Sequence, residues 1–135
     1  HLGLLHHTLN AFLPNNSPSE IGSMKKLRWL YLNGNKLGGE IPADIGHSSR
    51  IAFLWLNDNK LSGHLDPLLF ANNGFKYLKE LLLHDNHLSG PIPNEIGMMP
   101  RVRFISLHEN KFSGTIPTTL GMLTDLEVLK LHDTD

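Results

Sequence analysis

The sequence predicts an α/β repeat solenoid, a curved right-handed superhelix with a parallel β-sheet on its concave face and short 3-10 or irregular segments on its convex face. Three observations predict this fold. Five short segments with alternating apolar residues recur along the chain, as in LKELLL at 78–83. An asparagine and then a glycine follow four of the five segments at the same distance. Equivalent positions lie 24 residues apart, except for one interval of 27 residues between Ile51 and Leu78.

Each apolar segment is expected to form a short strand. Period-two alternation over a few residues places every second side chain on one buried face. Strands stacked in parallel lie about 4.8 Å apart, so equivalent residues form columns across the sheet. The buried positions are Leu27, Leu30, Leu32, Ile51, Leu54, Leu56, Leu78, Leu81, Leu83, Val102, Ile105, Leu107, Leu126, Leu129 and Leu131.

The segments between the strands carry the residue types that turns require. The asparagines that follow the strands are Asn35, Asn59, Asn86 and Asn110. A carboxamide has two donor hydrogens and an acceptor oxygen, so it can satisfy backbone groups of a turn that points into the core. The glycines that suit a tight bend are Gly39, Gly63, Gly90 and Gly114. Ile-Pro pairs follow at Ile41-Pro42, Ile92-Pro93 and Ile116-Pro117, and proline favours an extended segment there.

These landmarks divide residues 1–135 into five to six repeats of a single domain. The expected units are 1–22 (degenerate), 23–46, 47–70, 71–97 (with an insertion), 98–121 and 122–135 (truncated). The insertion falls within Ala71-Asn72-Asn73-Gly74-Phe75 and is expected to bulge from the edge of the solenoid, as a tolerated surface loop or as a contact loop. Asn15 begins a glycosylation sequon, although Pro18 directly after it disfavours use.

The signature L-x-x-L-x-L-x-x-N-x-L with the tail G-x-I-P-x-x-I-G resembles the leucine-rich repeat family, in its plant-type subclass. The resemblance is clear from about residue 21 to residue 135. Plant-type members include receptor-kinase ectodomains and secreted inhibitors of wall-degrading enzymes. The resemblance therefore implies a non-catalytic recognition module at the cell surface or outside the cell. Its partner is expected to be a protein or peptide, with a glycan as the alternative.

Caps are the feature in which the sequence departs from secreted relatives, which usually carry paired cysteines at both ends. The chain has no Cys, and neither end carries a cap. Because a solenoid needs polar caps for solubility, we expect a part of a longer protein, or open ends that pack against other chains. The second possibility keeps a structural or assembly subunit as the alternative function. The absence of Cys also permits an intracellular or organellar setting.

Composition excludes several other classes. Twelve Lys and Arg balance 13 Asp and Glu, for a formal net charge of −1, which argues against nucleic acid as a partner. A run of about 20 apolar residues, as a membrane span requires, is absent. Each glycine has a place in the repeat, so the sequence contains no phosphate loop and predicts no cofactor. Intrinsic enzyme activity is not expected, although a kinase domain elsewhere in a full-length protein would be a separate matter.

The outward columns of the concave sheet are the expected binding surface, as in other solenoids. Trp29, Tyr31, Phe53 and Trp55 should form one aromatic patch on two neighbouring strands, and this patch contains both Trp residues of the chain. Clustered exposed aromatic side chains are typical of binding hot spots. The predicted ligand-binding residues are Trp29, Tyr31, Asn33, Phe53, Trp55, Asn57, Leu82, His84, Phe104 and His108.

Another outward column ends in three histidines, His84, His108 and His132, which lie beside Asp85, Glu109 and Asp133. Three hypotheses fit this pattern. Imidazoles one strand apart could chelate a transition metal, stacked histidines could sense pH, or the column could be an ordinary solvated polar face. A metal site is not predicted, because a ladder of strands holds its side chains in parallel and does not make them converge.

Overall fold

A computed structural model describes residues 25–47 and 50–132. The degenerate first repeat, the sequon at Asn15 and the last residues of the truncated repeat, including Asp133, lie outside these ranges. In chain order the strands are β1 (Trp29–Tyr31), β2 (Gly38–Gly39), β3 (Phe53–Trp55), β4 (Lys60–His64), β5 (Glu80–Leu82), β6 (His87–Pro91), β7 (Phe104–Ser106), β8 (Lys111–Ser113) and β9 (Val128–Lys130).

The apolar segments form the parallel sheet that the sequence predicts. Its five strands follow the order β1-β3-β5-β7-β9, and we call it the concave sheet. Trp29 pairs with Phe53, and Tyr31 pairs with Trp55, so equivalent positions of the repeat stand side by side. The leucine at the centre of each of the first three strands is at most 1% exposed, whereas Leu129 in β9 is 37% exposed. The solenoid fold is therefore confirmed, and its core lies behind the concave sheet.

A second parallel sheet, of order β2-β4-β6-β8, was not predicted. The repeat pattern predicts only short 3-10 or irregular segments on the convex side. The glycines there have φ near +80°, for example Gly63 at 78° and Gly90 at 76°, and these bends lie within the strands. Because the repeats stack at one spacing, extended segments such as β4 and β6 find backbone partners in their neighbours. Their alternating stretch is too short to be assigned from sequence.

In the described ranges, 3-10 helices follow the strands of the second sheet, as predicted for the convex side, at Ala43–His47, Pro67–Leu69, Asn94–Met98 and Thr118–Met122. In the second of these repeats Asp66 replaces the usual proline. Its carboxylate Oδ1 accepts a hydrogen bond from the Leu68 N–H at 2.9 Å and so caps the helix that begins at Pro67. No helix among the described residues has the length and apolar character to cross a membrane.

Asn59, Asn86 and Asn110 form a buried ladder that joins each repeat to the one before it, whereas Asn35 is half-buried and donates to the Leu32 and Asn33 carbonyls of its own turn. Asn86 is 5% exposed. Its Nδ2 donates to the Leu56 and Leu83 carbonyls at 3.0 Å, and its Oδ1 accepts from the Leu61 N–H at 3.0 Å. Asn59 and Asn110 make the equivalent bonds. Since Leu56 and Leu61 belong to the preceding repeat, each side chain fixes the distance between two repeats.

The insertion is less exposed than expected. Phe75 is 2% exposed, its ring lies 5.7 Å from that of Phe70, and its N–H donates to the Gly46 carbonyl at 2.7 Å. Only Asn72 and Asn73 remain on the surface, with φ of 53° and 65° that asparagine tolerates. The expectation of a loop that bulges outward is wrong for Phe75. Removal of its large apolar ring from water stabilises the folded chain, so this part of the insertion packs inward.

Gly97 stands where two 3-10 helices touch. A methyl group at this position would overlap the carbonyl oxygen of Thr119, whereas one at Gly121, the equivalent position of the next repeat, would meet nothing within 4 Å. The two glycines therefore occupy equivalent positions of the repeat, but only Gly121 has room for a methyl group.

We expect Gly97→Ala to lower the free energy of unfolding by about 2 kcal/mol or more, since backbone must move to admit the methyl group. Gly121→Ala is the matched control and should leave stability unchanged or slightly raised, because alanine favours helical backbone over glycine. Urea denaturation followed by circular dichroism measures both. Equal effects of the two substitutions would show that the helices do not pack as described.

Candidate binding surface on the concave sheet

The outward positions of the concave sheet bring most of the predicted ligand-binding residues onto one face. Within each strand the central residue is directed into the core, so its two neighbours are directed away from it. Trp29 is 51% exposed, and Asn33 is also exposed. The half-buried members of the set are Tyr31, Phe53, Trp55, Leu82, His84, Phe104 and His108.

The aromatic patch is organised around a ring pair. The Tyr31 and Trp55 rings lie 4.3 Å apart between centroids with an interplanar angle of 31°. The indole Nε1 of Trp55 donates to the Glu80 carboxylate at 3.0 Å, which fixes the ring from the neighbouring strand. Trp29 and Phe53 stand opposite each other in the paired strands. The patch is thus preorganised, with Trp29 as its most exposed member.

The strand pattern predicts an exposed Asn57, but this residue is buried. The residue is 8% exposed, and its Nδ2 donates to the Asp58 carboxylate. Its Oδ1 is buried without a partner among the described residues. The short Asn57 side chain bonds back to the next residue, and backbone bonds hold its turn between two neighbours, since Gly34 N–H donates to the Asn57 carbonyl and Asp58 N–H donates to the His84 carbonyl. A ligand on this face would meet Asn33 but not Asn57.

The histidine column is a stack of parallel rings. The His84 and His108 rings are 4.5 Å apart at 6°, and those of His108 and His132 are 4.6 Å apart at 16°. Nδ1 of His84 contacts the Asp85 carboxylate at 2.7 Å, and Nδ1 of His108 contacts the Ser106 hydroxyl at 2.8 Å. One nitrogen of each of these two rings is therefore already engaged by its own strand.

This stacking does not suit a metal ion. Ligand atoms of His84, Asp85 and His108 lie within 4.8 Å of one another. An imidazole binds a metal in the plane of its ring, and two parallel rings at this separation share no such plane. Zn–N bonds of about 2.0–2.1 Å also require closer nitrogens than a stack provides. The hypothesis of a metal site therefore finds no support in this arrangement.

A serine of the neighbouring column, Ser106, contacts the histidine stack at His108. The sequence pattern does not predict this contact. Ser106 is 1% exposed, so its hydroxyl cannot reach a substrate. The histidine that it touches, His108, is a different one from His84, which pairs with Asp85. Among the described residues, nucleophile, base and acid are thus not joined in one relay. The contact orients His108 within the stack.

A basic groove lies beside the concave sheet and was missed from the sequence. One cavity of about 350 Å³ is lined by Arg28, Arg50, Ala52, Tyr77, Lys79 and Arg101. A second of about 400 Å³ shares Arg50 and Tyr77 with it and is lined further by Gly46, His47, Asn72, Asn73 and Lys76. The sequence does contain a sign of this groove, because basic residues recur at equivalent positions just before several strands. The predicted binding columns begin only at the first residue of each strand.

Comparison with known proteins identifies the repeat. The sequence model of the family described as Leucine Rich Repeat matches residues 26–48, 77–99 and 101–123, just over half of the chain. This match confirms the resemblance predicted from the repeat signature. No curated protein sequence matches the chain significantly.

Solved structures of plant receptors are similar to the chain. The Arabidopsis receptor kinase HAESA, in complex with the peptide hormone IDA and the co-receptor SERK1, has 40% identity and a TM-score of 0.78 over 84% of this chain. The plant peptide hormone receptor RGFR1, in complex with RGF2, has 37% identity and a TM-score of 0.75 over 85%. PEPR1 in complex with AtPEP1 has 36% identity and a TM-score of 0.81 over 87%. The chain spans 18%, 19% and 16% of these three proteins, respectively.

The histidine stack predicts a pH dependence of stability. The pKa of His108 lies below its ordinary value of 6.5, first because burial disfavours the charged ring and then because His84 and His132 repel it when charged. Asp85 opposes this shift, and Lys130 adds to it. Since the unfolded chain then binds more protons, stability should fall as pH drops from about 6.5 towards the folded pKa and level off below it.

We expect His108→Gln to remove part of this decline, and His87→Gln, at an exposed position outside the stack, to retain it. Urea midpoints measured from about pH 7.5 to about pH 5 test the difference. An NMR titration in which His108 ionises at or above its ordinary pKa would contradict the account.

Proposed function

Because the chain belongs to the leucine-rich repeat family, we propose that this region is a non-catalytic recognition module that binds an extended peptide across its concave sheet. The observation that carries the proposal is the aromatic patch on that sheet, with Trp29 51% exposed and the Tyr31–Trp55 pair beside it. Of the similar proteins, HAESA binds the peptide hormone IDA and RGFR1 is a peptide hormone receptor in complex with RGF2, which supports the same kind of ligand here.

Regular backbone hydrogen bonds hold the sheet that carries the proposed binding surface. Backbone hydrogen bonds join the strands beyond their paired residues, as in Leu32 N–H to the Trp55 carbonyl at 2.9 Å and Leu56 N–H to the Leu82 carbonyl at 2.9 Å. A preformed surface spends less conformational entropy on binding than a mobile one. Docking should therefore proceed with little rearrangement of the sheet.

A peptide fits this face better than a glycan does. The N–H of Trp55 already donates to Glu80, so it is not available to a sugar hydroxyl. Leu82 lies beside Trp55 in one outward column and Phe104 lies further along the column of Trp29 and Phe53, so both add apolar surface, and His84 and His108 border it. Such a mixture of apolar and polar groups matches alternating side chains of an extended peptide.

The proposed setting is the outside of the cell or the cell surface. The similar chains are receptors, and one neighbour is described as the ectodomain of a plant membrane receptor kinase, with 28% identity to this chain. The module itself has no proposed catalytic role. Any kinase activity would belong to another part of a longer protein.

An assembly subunit is the second candidate. Ile116, Met122 and Leu129 are 63%, 67% and 37% exposed, which gives the C-terminal part of the described solenoid an apolar surface. Sedimentation distinguishes the two functions, because a subunit that assembles through these side chains would self-associate at high concentration and a recognition module would stay monomeric.

The proposed function predicts that Trp55→Ala weakens peptide binding by about 2 kcal/mol or more, as expected for a hot spot that also positions Tyr31. Peptides selected from a phage-displayed random library against the unaltered chain provide the probe. Their affinity is measured by titration calorimetry, and Leu68→Ala, 52% exposed on a convex 3-10 helix, is the control. Intrinsic fluorescence reports the same event, because Trp29 and Trp55 are the two Trp residues of the chain.

Selected peptides that bind both variants equally, without a change in tryptophan emission, would place the binding site away from the aromatic patch.

A further inference from the structure

We infer that the basic groove is an anion-binding extension of the concave surface and that it takes an acidic segment of the bound peptide. The inference rests on the proposed function, because it assigns a chemistry to one part of the proposed ligand. The groove lies along the strand starts, next to the aromatic patch. Arg28 directly precedes Trp29, and Ala52 directly precedes Phe53.

The lining of the groove is one-sided in charge. Arg28, Arg50, Lys79 and Arg101 line the first cavity, and Lys76 joins the shared Arg50 in the second. Of the residues that the structure describes, none that lines either cavity is acidic, although the whole chain has a formal charge of −1. A concentration of positive charge in a concave site focuses the field and attracts an anionic ligand.

The cations at the centre of the groove form no ion pair within the part of the chain that the structure describes. Among the described residues, no acidic side chain forms an ion pair with Arg28, Arg50 or Lys79. Three acids stand near the groove. Asp125, one repeat beyond Arg101, acts on Arg103, and the other two are engaged elsewhere. Glu80 accepts from Trp55, and Glu127 pairs with Arg103 at 2.6 Å. The groove is thus left with an excess of positive charge that a ligand could balance.

The arrangement of these cations follows the repeat. Backbone bonds connect Arg28 to Ala52 at 2.8 Å and Ala52 to Lys79 at 2.7 Å, so these residues form a column across neighbouring strands. From the repeat of Arg28 to that of Arg101 there are three strand intervals, roughly 14 Å at the usual strand spacing. This length equals about four residues of an extended chain. Acidic side chains at alternate positions of the peptide would face the groove together.

The chemistry of the cations favours carboxylates. Three of the four cations in the first cavity are arginines, and a guanidinium binds a carboxylate through two parallel hydrogen bonds. The Arg101 guanidinium lies 5.1 Å from the centre of the Tyr77 ring, and Lys76 also lies over that ring, so Tyr77 holds two cations at the junction of the cavities. Asn72 and Asn73 add amide donors at the far end, which gives the surface part of the insertion a contact role.

The test uses a fluorescein-labelled peptide of alternating Glu and Ala, with a Lys-Ala peptide of the same length as the negative probe. Fluorescence anisotropy measures its affinity for the unaltered chain, for Arg50→Glu/Lys79→Glu, and for Lys60→Glu/Lys111→Glu. The last variant has the same change in charge at exposed lysines of the second sheet, which line neither cavity. Circular dichroism checks folding, and Arg50→Gln/Lys79→Gln replaces the reversed pair if that variant does not fold.

We expect the groove variant to lose about tenfold or more in affinity for the Glu-Ala peptide, and the control variant to lose about twofold or less. Three results would overturn the inference: no binding of the acidic peptide, equal losses in both variants, or tighter binding of an oligogalacturonate with the same dependence on the groove. The last result would assign the site to an acidic glycan.

The same probe separates this inference from the proposed function. Loss of binding in the groove variant but not in Trp55→Ala would uphold the groove and remove the aromatic patch from the site. Library-selected peptides that depend on Trp55 but not on Arg50 and Lys79, together with no binding of the Glu-Ala peptide, would uphold the proposed function and overturn the groove.

Discussion

The hydrogen bonds of the buried asparagines are the interaction on which the rest of this structure depends. Each amide satisfies backbone groups of its own turn and of the preceding repeat, as Asn59 does with the Leu32 and Leu56 carbonyls at 3.0 Å. Without these bonds the turns would bury unpaired carbonyl and amide groups, which is costly in an apolar core. The ladder thereby sets the interval between repeats. That interval aligns the outward side chains into columns, so the aromatic patch, the histidine stack and the basic groove all inherit its spacing.

Much of the fold could be predicted because the same pattern of apolar residues, asparagine and glycine recurs in each repeat. The alternation around Leu30, Leu54 and Leu81 indicates strands, and the recurrence at a near-constant interval indicates their parallel stacking. The second sheet was missed because β4 and β6 are extended for a reason that is not local. Their backbone groups pair only because another repeat lies beside them. Phe75 was misplaced for a similar reason, since its pocket beside Phe70 exists only in the folded chain.

The residues of the candidate site that lie within the strands could be predicted from the alternation of side chains. The residues in the segments just before and just after the strands could not. The pairing of Tyr31 with Trp55 follows directly from the register. The burial of Asn57 accompanies a side-chain bond to Asp58 and a position between two neighbouring repeats, which alternation alone does not reveal. The groove joins Arg28 and Lys79, before the strands, with Arg50, which lies two residues before Ala52. To predict such a cluster, one must know how the chain runs in three dimensions where it enters each strand.

The central claim, that the asparagine ladder holds the repeats at their spacing, is tested most directly by the free energy of unfolding of Asn86→Ala. The substitution leaves the Leu61 N–H and the Leu56 and Leu83 carbonyls without their side-chain partner in the core. We expect a loss of about 3 kcal/mol, from several unsatisfied buried groups, against a loss of about 0.5 kcal/mol or less for the exposed Asn33→Ala. Equal stabilities of the two variants would contradict the account, because the ladder would then follow from the stacking of the leucines and would not cause it.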